Sequence, residues 1–199
     1  MKCLYCDKPI DKISFRSIFL KDDDLCPECR GKLKTKRTIV KVEEMEVETF
    51  YEYDGMYKSL LLQYKECLDE ALKKVFLYEL SDYINMRYHG YLICFVPSSK
   101  EKLESRGFSH LKLMFEEVKL KQLKGLRMKE ELCQEGMDLD QRKRMLNNFV
   151  YEGKQADRVL LVDDVLTSGS TLLGAYRALL PKVTKIKVLS IAYRKNGNI

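Results

Sequence analysis

A run of four aliphatic residues, 159–162, leads directly into two carboxylates, Asp163 and Asp164, and then into a short turn of small and hydroxyl-bearing residues. The aliphatic run predicts a strand that is buried on both faces, as in a parallel sheet. The turn consists of Thr167, Ser168, Gly169, Ser170 and Thr171. Apolar spacing then predicts a helix over residues 170–180. This order favours an α/β fold, in which the turn lies at the carboxyl edge of the sheet, where such folds bind ligands.

The residue types of this segment suit a sugar phosphate. Backbone N–H groups in a turn of small residues can approach a phosphate closely, and the positive end of the helix dipole faces the same anion. The carboxylates of Asp163 and Asp164 would repel a phosphate at contact distance, but they can accept hydrogen bonds from ribose hydroxyls or bind Mg²⁺ beside it. The sequence has neither a Walker A motif nor a G-x-G-x-x-G motif. A capped helix after a strand is the simpler alternative.

Further apolar patterns extend the α/β interpretation along the chain. Residues 91–96 and 185–192 predict two more buried strands. Apolar side chains at steps of three and four between Leu68 and Ile84 predict one amphipathic helix, and residues 110–123 predict another. The alternation of strands and helices predicts a parallel sheet flanked by helices.

Four of the seven cysteines fall within the first 29 residues, as Cys3, Cys6, Cys26 and Cys29. They form two C-x2-C pairs, and each pair is expected to fold into a tight turn with both thiolates facing one point. Two such turns predict a closed, structural zinc site, which would supply folding free energy to a short segment with few apolar residues. Free or disulfide-bonded thiols are the alternative. We interpret the other three, Cys67, Cys94 and Cys133, as small buried side chains.

The charge distribution predicts a boundary and an anionic partner. The sequence has 36 Lys and Arg against 30 Asp and Glu, a formal net charge of +6. Residues 30–41 contain basic side chains and no acid, and glutamates dominate residues 43–52. This reversal predicts a boundary between two modules. The basic run can contact nucleic-acid phosphates or form a solvated linker, and residues 142–144 form a second basic cluster.

No apolar run approaches the roughly 18–20 residues that a transmembrane helix requires. Near the first residue, charged side chains interrupt any apolar segment before it reaches the length of a signal-peptide core. We therefore expect a cytoplasmic protein, in a compartment that keeps thiols reduced.

Residues 159–171 resemble the phosphoribosyl-pyrophosphate (PRPP) motif of type I phosphoribosyltransferases. With the cysteine pairs, nearly the whole chain resembles the ComF family of competence proteins. The other matching pieces are Tyr53-Asp54-Gly55, Lys65 with Asp69, Val96-Pro97 and Arg106-Gly107-Phe108. The resemblance implies a zinc ribbon over residues 1–40 and a phosphoribosyltransferase-like α/β domain over residues 41–199.

The resemblance also implies roles for the matching residues. Asp163 and Asp164 would hold the ribose hydroxyls, residues 167–171 would hold the 5′-phosphate, and Mg²⁺ would accompany the pyrophosphate. The pyrophosphate side is expected at Ser98, Ser99, Lys100 and Arg106, although a solvated face suits Lys100 and Arg106 equally well.

This chain departs from the family on the pyrophosphate side. It has Ser98-Ser99 where the family has a second Val-Pro pair, and Ser109-His110 where the family has Asn-Gln. We interpret His110 as a residue at the start of a helix, with contact to a ligand as the alternative, and no catalytic residue is assigned.

The family resemblance implies a competence protein that assists the uptake of single-stranded DNA into the cytoplasm. It would act beside the helicase of the same system and reach the inner face of the membrane through its partners, with PRPP or another sugar phosphate in its pocket. The alternative is an active phosphoribosyltransferase that transfers ribose 5-phosphate from PRPP to a base or another nucleophile. A third possibility is an adaptor that senses sugar phosphates.

Overall fold

A computed structural model describes residues 1–10, 23–99, 101, 103–104, 107–129 and 148–195. The strands are β1 (Thr38–Val42), β2 (Met45–Thr49), β3 (Tyr51–Glu52), β4 (Leu92–Phe95), β5 (Leu126–Met128), β6 (Phe149–Tyr151), β7 (Ala156–Leu166) and β8 (Val183–Tyr193). The α-helices are α1 (Pro27–Lys32), α2 (Gly55–Glu66), α3 (Ser81–Arg87), α4 (His110–Met114) and α5 (Ser170–Leu179), with a 3₁₀ helix at Glu70–Lys74.

The central sheet is mostly parallel, which confirms the predicted fold class. Its order is β1-β2-β8-β7-β4, and β3 pairs with β8 beyond the end of β2. β2, β3 and β7 run parallel to β8, β4 runs parallel to β7, and β1 pairs antiparallel with β2. β5 and β6 form a separate antiparallel pair. Because β4 and β7 are parallel neighbours, their carboxyl ends meet at one edge of the sheet.

The core lies on both faces of the sheet, as the aliphatic run at 159–162 predicts. Leu160 and Val162 of β7 pack into the core beneath α2, α3 and α4. Val159 and Leu161 pack into the opposite core, with α5 and β6. Successive side chains of a strand point to opposite faces, and all four of these residues are fully buried. A parallel strand covered on both sides therefore needs a continuous apolar run rather than an alternating one.

The predicted amphipathic helix from Leu68 to Ile84 is wrong as a single element. α2 ends at Glu66, and Leu68 has a φ of 57°, outside the helical range. Asp69 then begins a new 3₁₀ turn, because its carboxylate accepts a hydrogen bond from the backbone N–H of Ala71 at 3.2 Å. Most apolar residues of this stretch still reach one core, from the 3₁₀ helix, the turn after it and α3, but Leu68 is exposed.

The second predicted helix, over residues 110–123, is also wrong in length. α4 ends at Met114. Further on, the backbone of Ile93 in β4 exchanges hydrogen bonds with Lys121 and Leu123, at 2.9 and 2.8 Å. Residues 121–123 therefore pair in parallel with the outer edge of β4, so a helix cannot continue to residue 123.

Strand β7 is longer than predicted and contains both aspartates. Pairing with β8 continues through Asp163 opposite Ser190 and ends with Leu166 opposite Tyr193. The carboxylates therefore lie within the strand rather than after it. At the other end of the fold, the proposed module boundary at residue 40 falls inside β1, and this boundary stays a prediction.

Two of the remaining cysteines lie among the described residues. Cys94 of β4 is buried, as predicted, and burial raises the pKa of its thiol to about 12. Cys67 is exposed where α2 ends, so the prediction of a buried side chain is wrong there. Cys133 lies outside the described residues.

Candidate functional site

A cleft of about 210 Å³ opens at the carboxyl ends of β4 and β7. Its polar lining consists of Lys65, Ser98, Ser99, His110, Asp163, Asp164 and Thr171. We call it the carboxyl-edge cleft. It brings together five of the residues predicted to bind a sugar phosphate: both aspartates, Thr171 and the two serines after β4. Their roles as ligand-binding residues stay predictions.

The other predicted residues lie beside this cleft or outside the described residues. Thr167, Ser168, Gly169 and Ser170 form the turn between β7 and α5, next to Thr171 but not on the cleft lining. Lys100 and Arg106, predicted for the pyrophosphate side, lie outside the described residues.

Asp164 is a buried carboxylate held by two nitrogen donors. It is 6% exposed, and the Lys65 ammonium and the His110 ring both contact Oδ2, with His110 Nε2 at 2.7 Å. Burial raises the pKa of this carboxyl, but the charge of Lys65 and the hydrogen bond from His110 outweigh it. Together they hold the pKa of Asp164 well below its usual range, so this acid stays ionised.

Lys65 and His110 are site residues whose contact with Asp164 sequence reasoning did not predict. Lys65 is near the end of α2, and His110 begins α4, so two separate helices deliver them to one carboxylate. Tyr64 supports the arrangement, because its hydroxyl donates to the His110 carbonyl at 2.8 Å. A signal did exist for Lys65, which belongs to a family-like piece of the sequence. The pairing itself depends on how the helices pack, which periodicity does not reveal.

Asp163 faces the opposite side of the sheet from Asp164, because the two are neighbours in one strand. Its Oδ1 accepts a hydrogen bond from the backbone N–H of Asp164 at 2.9 Å. It is half-buried, whereas Asp164 is buried. The adjacent acids therefore differ in environment: Asp164 is tied to α2 and α4, and Asp163 lies on the side of α5.

The turn before α5 depends on a glycine. Gly169 has a φ of 78°, which is strained for other residues, and a Cβ there would lie 2.7 Å from Cγ1 of Val42 in β1. Ser168 and Ser170 bring their hydroxyls to within 3.1 Å of each other on the exposed side. The first turn of α5 thus begins at the edge of the cleft, where its N–H groups are suited to an anion.

The four N-terminal cysteines form one cluster. Their sulfur atoms all lie within 4.8 Å of one another, and Cys6 and Cys26 are 3.7 Å apart. Four thiolates at about 2.3 Å from a tetrahedral zinc ion would be about 3.8 Å apart, so the cluster fits such an ion. Burial raises the pKa of the Cys3 thiol, but backbone hydrogen bonds outweigh it and bring that pKa to about 6. The cluster can hold a metal ion such as zinc.

Arg30 connects this cluster to the rest of the fold. It follows Cys29 directly and binds the Asp23 carboxylate through two nitrogens, at 2.6 and 2.7 Å. It also donates to the Val75 carbonyl at 2.9 Å and lies over the ring of Tyr78. Cys3, Cys26 and Cys29 themselves share the core beneath α2. The cysteine segment is therefore packed onto the sheet domain.

The fold and its two sites define an α/β protein with a carboxylate-lined cleft and a cluster of four cysteines that can hold a metal ion. Among the described residues, every helix is too short or too polar to cross a bilayer. No model of a known protein family matches the chain.

Two curated proteins are similar to nearly the whole chain. Competence protein ComFC of Bacillus subtilis (strain 168) is 25% identical over 216 aligned residues, covering 90% of this chain and 89% of the relative. Competence protein ComFC of Streptococcus pneumoniae (strain ATCC BAA-255 / R6) is 24% identical over 200, covering 86% and 90%. These similarities support the ComF family and a role related to competence.

Proposed function

We propose that this chain is a cytoplasmic competence protein that assists the uptake of single-stranded DNA and binds PRPP, or a related sugar phosphate, in the carboxyl-edge cleft. The observation that carries the sugar-phosphate part is the convergence of Asp163, Asp164, Thr171, Ser98 and Ser99 around that cleft. The similarity to two competence proteins supports the biological role. A helicase of the same system is the partner that this role requires.

The chemistry of the cleft is suited to a phosphorylated ribose. The two carboxylates would accept hydrogen bonds from the 2′- and 3′-hydroxyls, and the turn before α5 would donate N–H groups to the 5′-phosphate. Lys65 keeps Asp164 ionised, so this acid remains an acceptor at neutral pH. Mg²⁺ would enter with the pyrophosphate, whose charge it would neutralise.

We further propose zinc as the metal of the cysteine cluster, in a structural role. Four cysteine ligands leave a tetrahedral ion no open position, so the metal has no place for a substrate. Elemental analysis of the purified chain should find about one zinc per chain. Serine variants of Cys3 and Cys6 should lose it, and the Cys67→Ser variant is the matched control because Cys67 is exposed and distant in sequence.

The test of the sugar-phosphate site is a calorimetric titration with PRPP and Mg²⁺. Asp163→Asn should weaken binding at least about tenfold, since one lost charge-assisted hydrogen bond is worth about 1.5–3 kcal/mol. Asp157→Asn is the matched control, because Asp157 lies in the same strand β7 but at its exposed amino end. Binding that survives both Asp163→Asn and the double variant with Asp164→Asn would contradict the site.

Transferase activity is the second candidate, and the ionised carboxylate of Asp164 favours it. Transfer from PRPP passes through a ribose that carries positive charge, which nearby carboxylates stabilise. The reaction would release pyrophosphate when PRPP, Mg²⁺ and an acceptor base are mixed with the protein. Release of pyrophosphate that Asp163→Asn abolishes would establish the activity; absence of release across a panel of bases, with PRPP still bound, would favour a binding role.

A further inference from the structure

A second cleft, of about 330 Å³, lies between the end of α1, residues 33–38 and the start of α2. Its lining includes Lys34, Lys36, Tyr51, Met56, Tyr57 and Tyr193. We call it the linker cleft. It shares no lining residue with the carboxyl-edge cleft. Its size is within the range of small-ligand sites, and its lining is richer than the first in lysines and tyrosines, beside Glu52 and Asp54.

Three lysines line the linker cleft, and two of them, Lys34 and Lys36, have no carboxylate partner among the described residues. The Lys36 backbone N–H donates to the Phe50 carbonyl at 2.7 Å, which holds this part of the linker against the sheet. Lys34 and Lys36 are exposed, and within the described part of the chain no ion pair joins either one to an acid. Lys32, in contrast, is paired with Glu28 at 3.1 Å. Two unpaired cations at one cleft favour an anionic ligand.

Two acids also line the linker cleft, and the charge of each is partly balanced. Glu52 accepts a hydrogen bond from the Tyr193 hydroxyl at 3.3 Å and lies 3.8 Å from the Lys195 ammonium. Asp54 is the N-cap residue of α2, where the positive end of the helix dipole opposes its charge. The lining therefore carries three lysines against two acids, and Lys34 and Lys36 are the cations without an acidic partner among the described residues.

Aromatic rings form the other part of the lining. Tyr51 and Tyr57 are stacked, with ring centroids 4.9 Å apart, and both are buried. Neither of their hydroxyls has a hydrogen-bond partner among the described residues. Tyr193 is half-buried at the end of β8, so part of its ring is accessible. A basic groove beside aromatic rings is the arrangement that binds single strands, with lysines on phosphates and rings against bases.

We propose that the linker cleft binds single-stranded DNA, with Lys34 and Lys36 on consecutive phosphates and a base against Tyr193 and Met56. This inference rests on the proposed role in DNA uptake and assigns that role to a surface. The carboxyl-edge cleft would then bind a sugar phosphate, and the linker cleft would bind the DNA strand. The lysines neutralise phosphates without reading sequence, so binding is expected to be largely independent of base sequence.

The test measures binding of a fluorescently labelled oligo(dT) to the zinc-loaded full chain by anisotropy, over a salt series. The double variant Lys34→Glu with Lys36→Glu should bind at least about tenfold more weakly, and its log K against log salt slope should be shallower by about 1.4, or 0.7 per lost phosphate contact. Lys34→Gln with Lys36→Gln removes the same two phosphate contacts without adding negative charge, so its slope should fall by the same amount while its affinity falls less. This second variant guards against misfolding of the first.

The matched control is Lys185→Glu with Lys187→Glu, which changes the net charge equally. Both lysines are exposed near the amino end of β8, away from the cleft. Weakening confined to the linker lysines supports the proposal. Equal weakening by both double variants, or no weakening by either, overturns it, because charge alone would then explain any effect.

A third arm tests the base contact. Tyr193→Ala should weaken binding of oligo(dT) about tenfold, because a stacked base is worth about 1–3 kcal/mol. The same variant should leave binding of an abasic deoxyribose-phosphate strand unchanged. Equal loss for both probes would overturn the contact with a base.

PRPP titrations of the same variants separate this inference from the proposed function. PRPP binding should be unchanged in all of them, because the two clefts share no lining residue. If the lysine variants lose oligo(dT) binding but the unmodified protein does not bind PRPP, only the sugar-phosphate site is refuted. If the unmodified protein binds PRPP but not oligo(dT), only the proposal for the linker cleft is refuted.

Discussion

Glu48 and Asp164 are two buried carboxylates of one sheet, at 4% and 6% exposure. Each is charged at neutral pH, because donors around it lower its pKa against the effect of burial. Glu48, in β2, accepts from the Tyr83 hydroxyl at 2.6 Å and contacts Tyr88, Arg37 and Arg87. Asp164, in β7, contacts Lys65 and His110.

The two regions differ in what lies beside the carboxylate. Donors reach both oxygens of Glu48 from α3 and the linker, and Glu48 lines neither of the two clefts. Both donors of Asp164 meet Oδ2, and Asp164 lines the carboxyl-edge cleft. A buried, ionised acid is therefore not a functional signal by itself. The cleft beside Asp164 makes the difference, and Glu48 serves to join β2 to α3.

The largest expected effect is at Asp164. Asp164→Asn should lower the free energy of unfolding by about 3 kcal/mol, because it leaves the ammonium of Lys65 largely buried without an anion. Combining it with Lys65→Met should restore part of that loss, since neither charge then remains. Urea unfolding of the two single variants and the double variant measures the coupling. Strictly additive losses would show that the pair does not interact.

Glu48→Gln should lower the free energy of unfolding by about 2 kcal/mol, which is less than the loss for Asp164→Asn. The amide keeps an acceptor oxygen for one tyrosine, but its NH₂ group is a donor that faces the other donors. PRPP affinity in the carboxyl-edge cleft should not change. The pair of measurements, unfolding in urea and calorimetric titration, therefore separates the two acids. A fall in PRPP affinity in this variant would contradict the conclusion that Glu48 has no part in the carboxyl-edge cleft.

Lowering the pH should remove the contribution of Glu48 to the free energy of unfolding. Its pKa is lowered in the folded state, so its stabilisation is present above the ordinary glutamate pKa of about 4.3 and is lost as the pH falls through the folded value. The difference in unfolding free energy between wild type and Glu48→Gln should therefore shrink from pH 6 towards acid. Urea titrations at several pH values measure it, and a difference that stays constant would contradict the assignment.

The smallest expected effect is at Arg87. Its Nε lies 3.5 Å from Glu48 and its side chain is half exposed, so solvent screens the pair. Arg87→Gln should lower the free energy of unfolding by about 0.5 kcal/mol or less. Urea unfolding measures this value too. A loss as large as that of Glu48→Gln would mean that Arg87 is the main partner, contrary to the shorter contacts of the tyrosines.

Local patterns in the sequence predicted the three central parallel strands β4, β7 and β8 and the helix α5, but they missed the other five strands of the described residues and gave two other helices wrong bounds. Residues 159–162 are buried on both faces because their aliphatic run has no polar face to expose. Most of the apolar stripe from Leu68 to Ile84 is buried, although Leu68 itself is exposed, but the stripe gave no sign of the turn that separates the 3₁₀ helix from α3. It also gave no sign that Asp69 caps a separate 3₁₀ helix after the end of α2. Periodicity reports which residues are buried and not how the backbone is divided.

The sequence by itself determined the α/β class, the cysteine cluster and the small-residue turn that follows the two aspartates, because each depends on residues close together in the chain. Only the tertiary structure decided which groups surround Asp164, since Lys65 and His110 come from helices 99 and 54 residues away. It also decided that Lys34 and Lys36 share a cleft with Tyr193. Contacts between distant segments follow from the packing of helices on a sheet, and no local pattern encodes that packing.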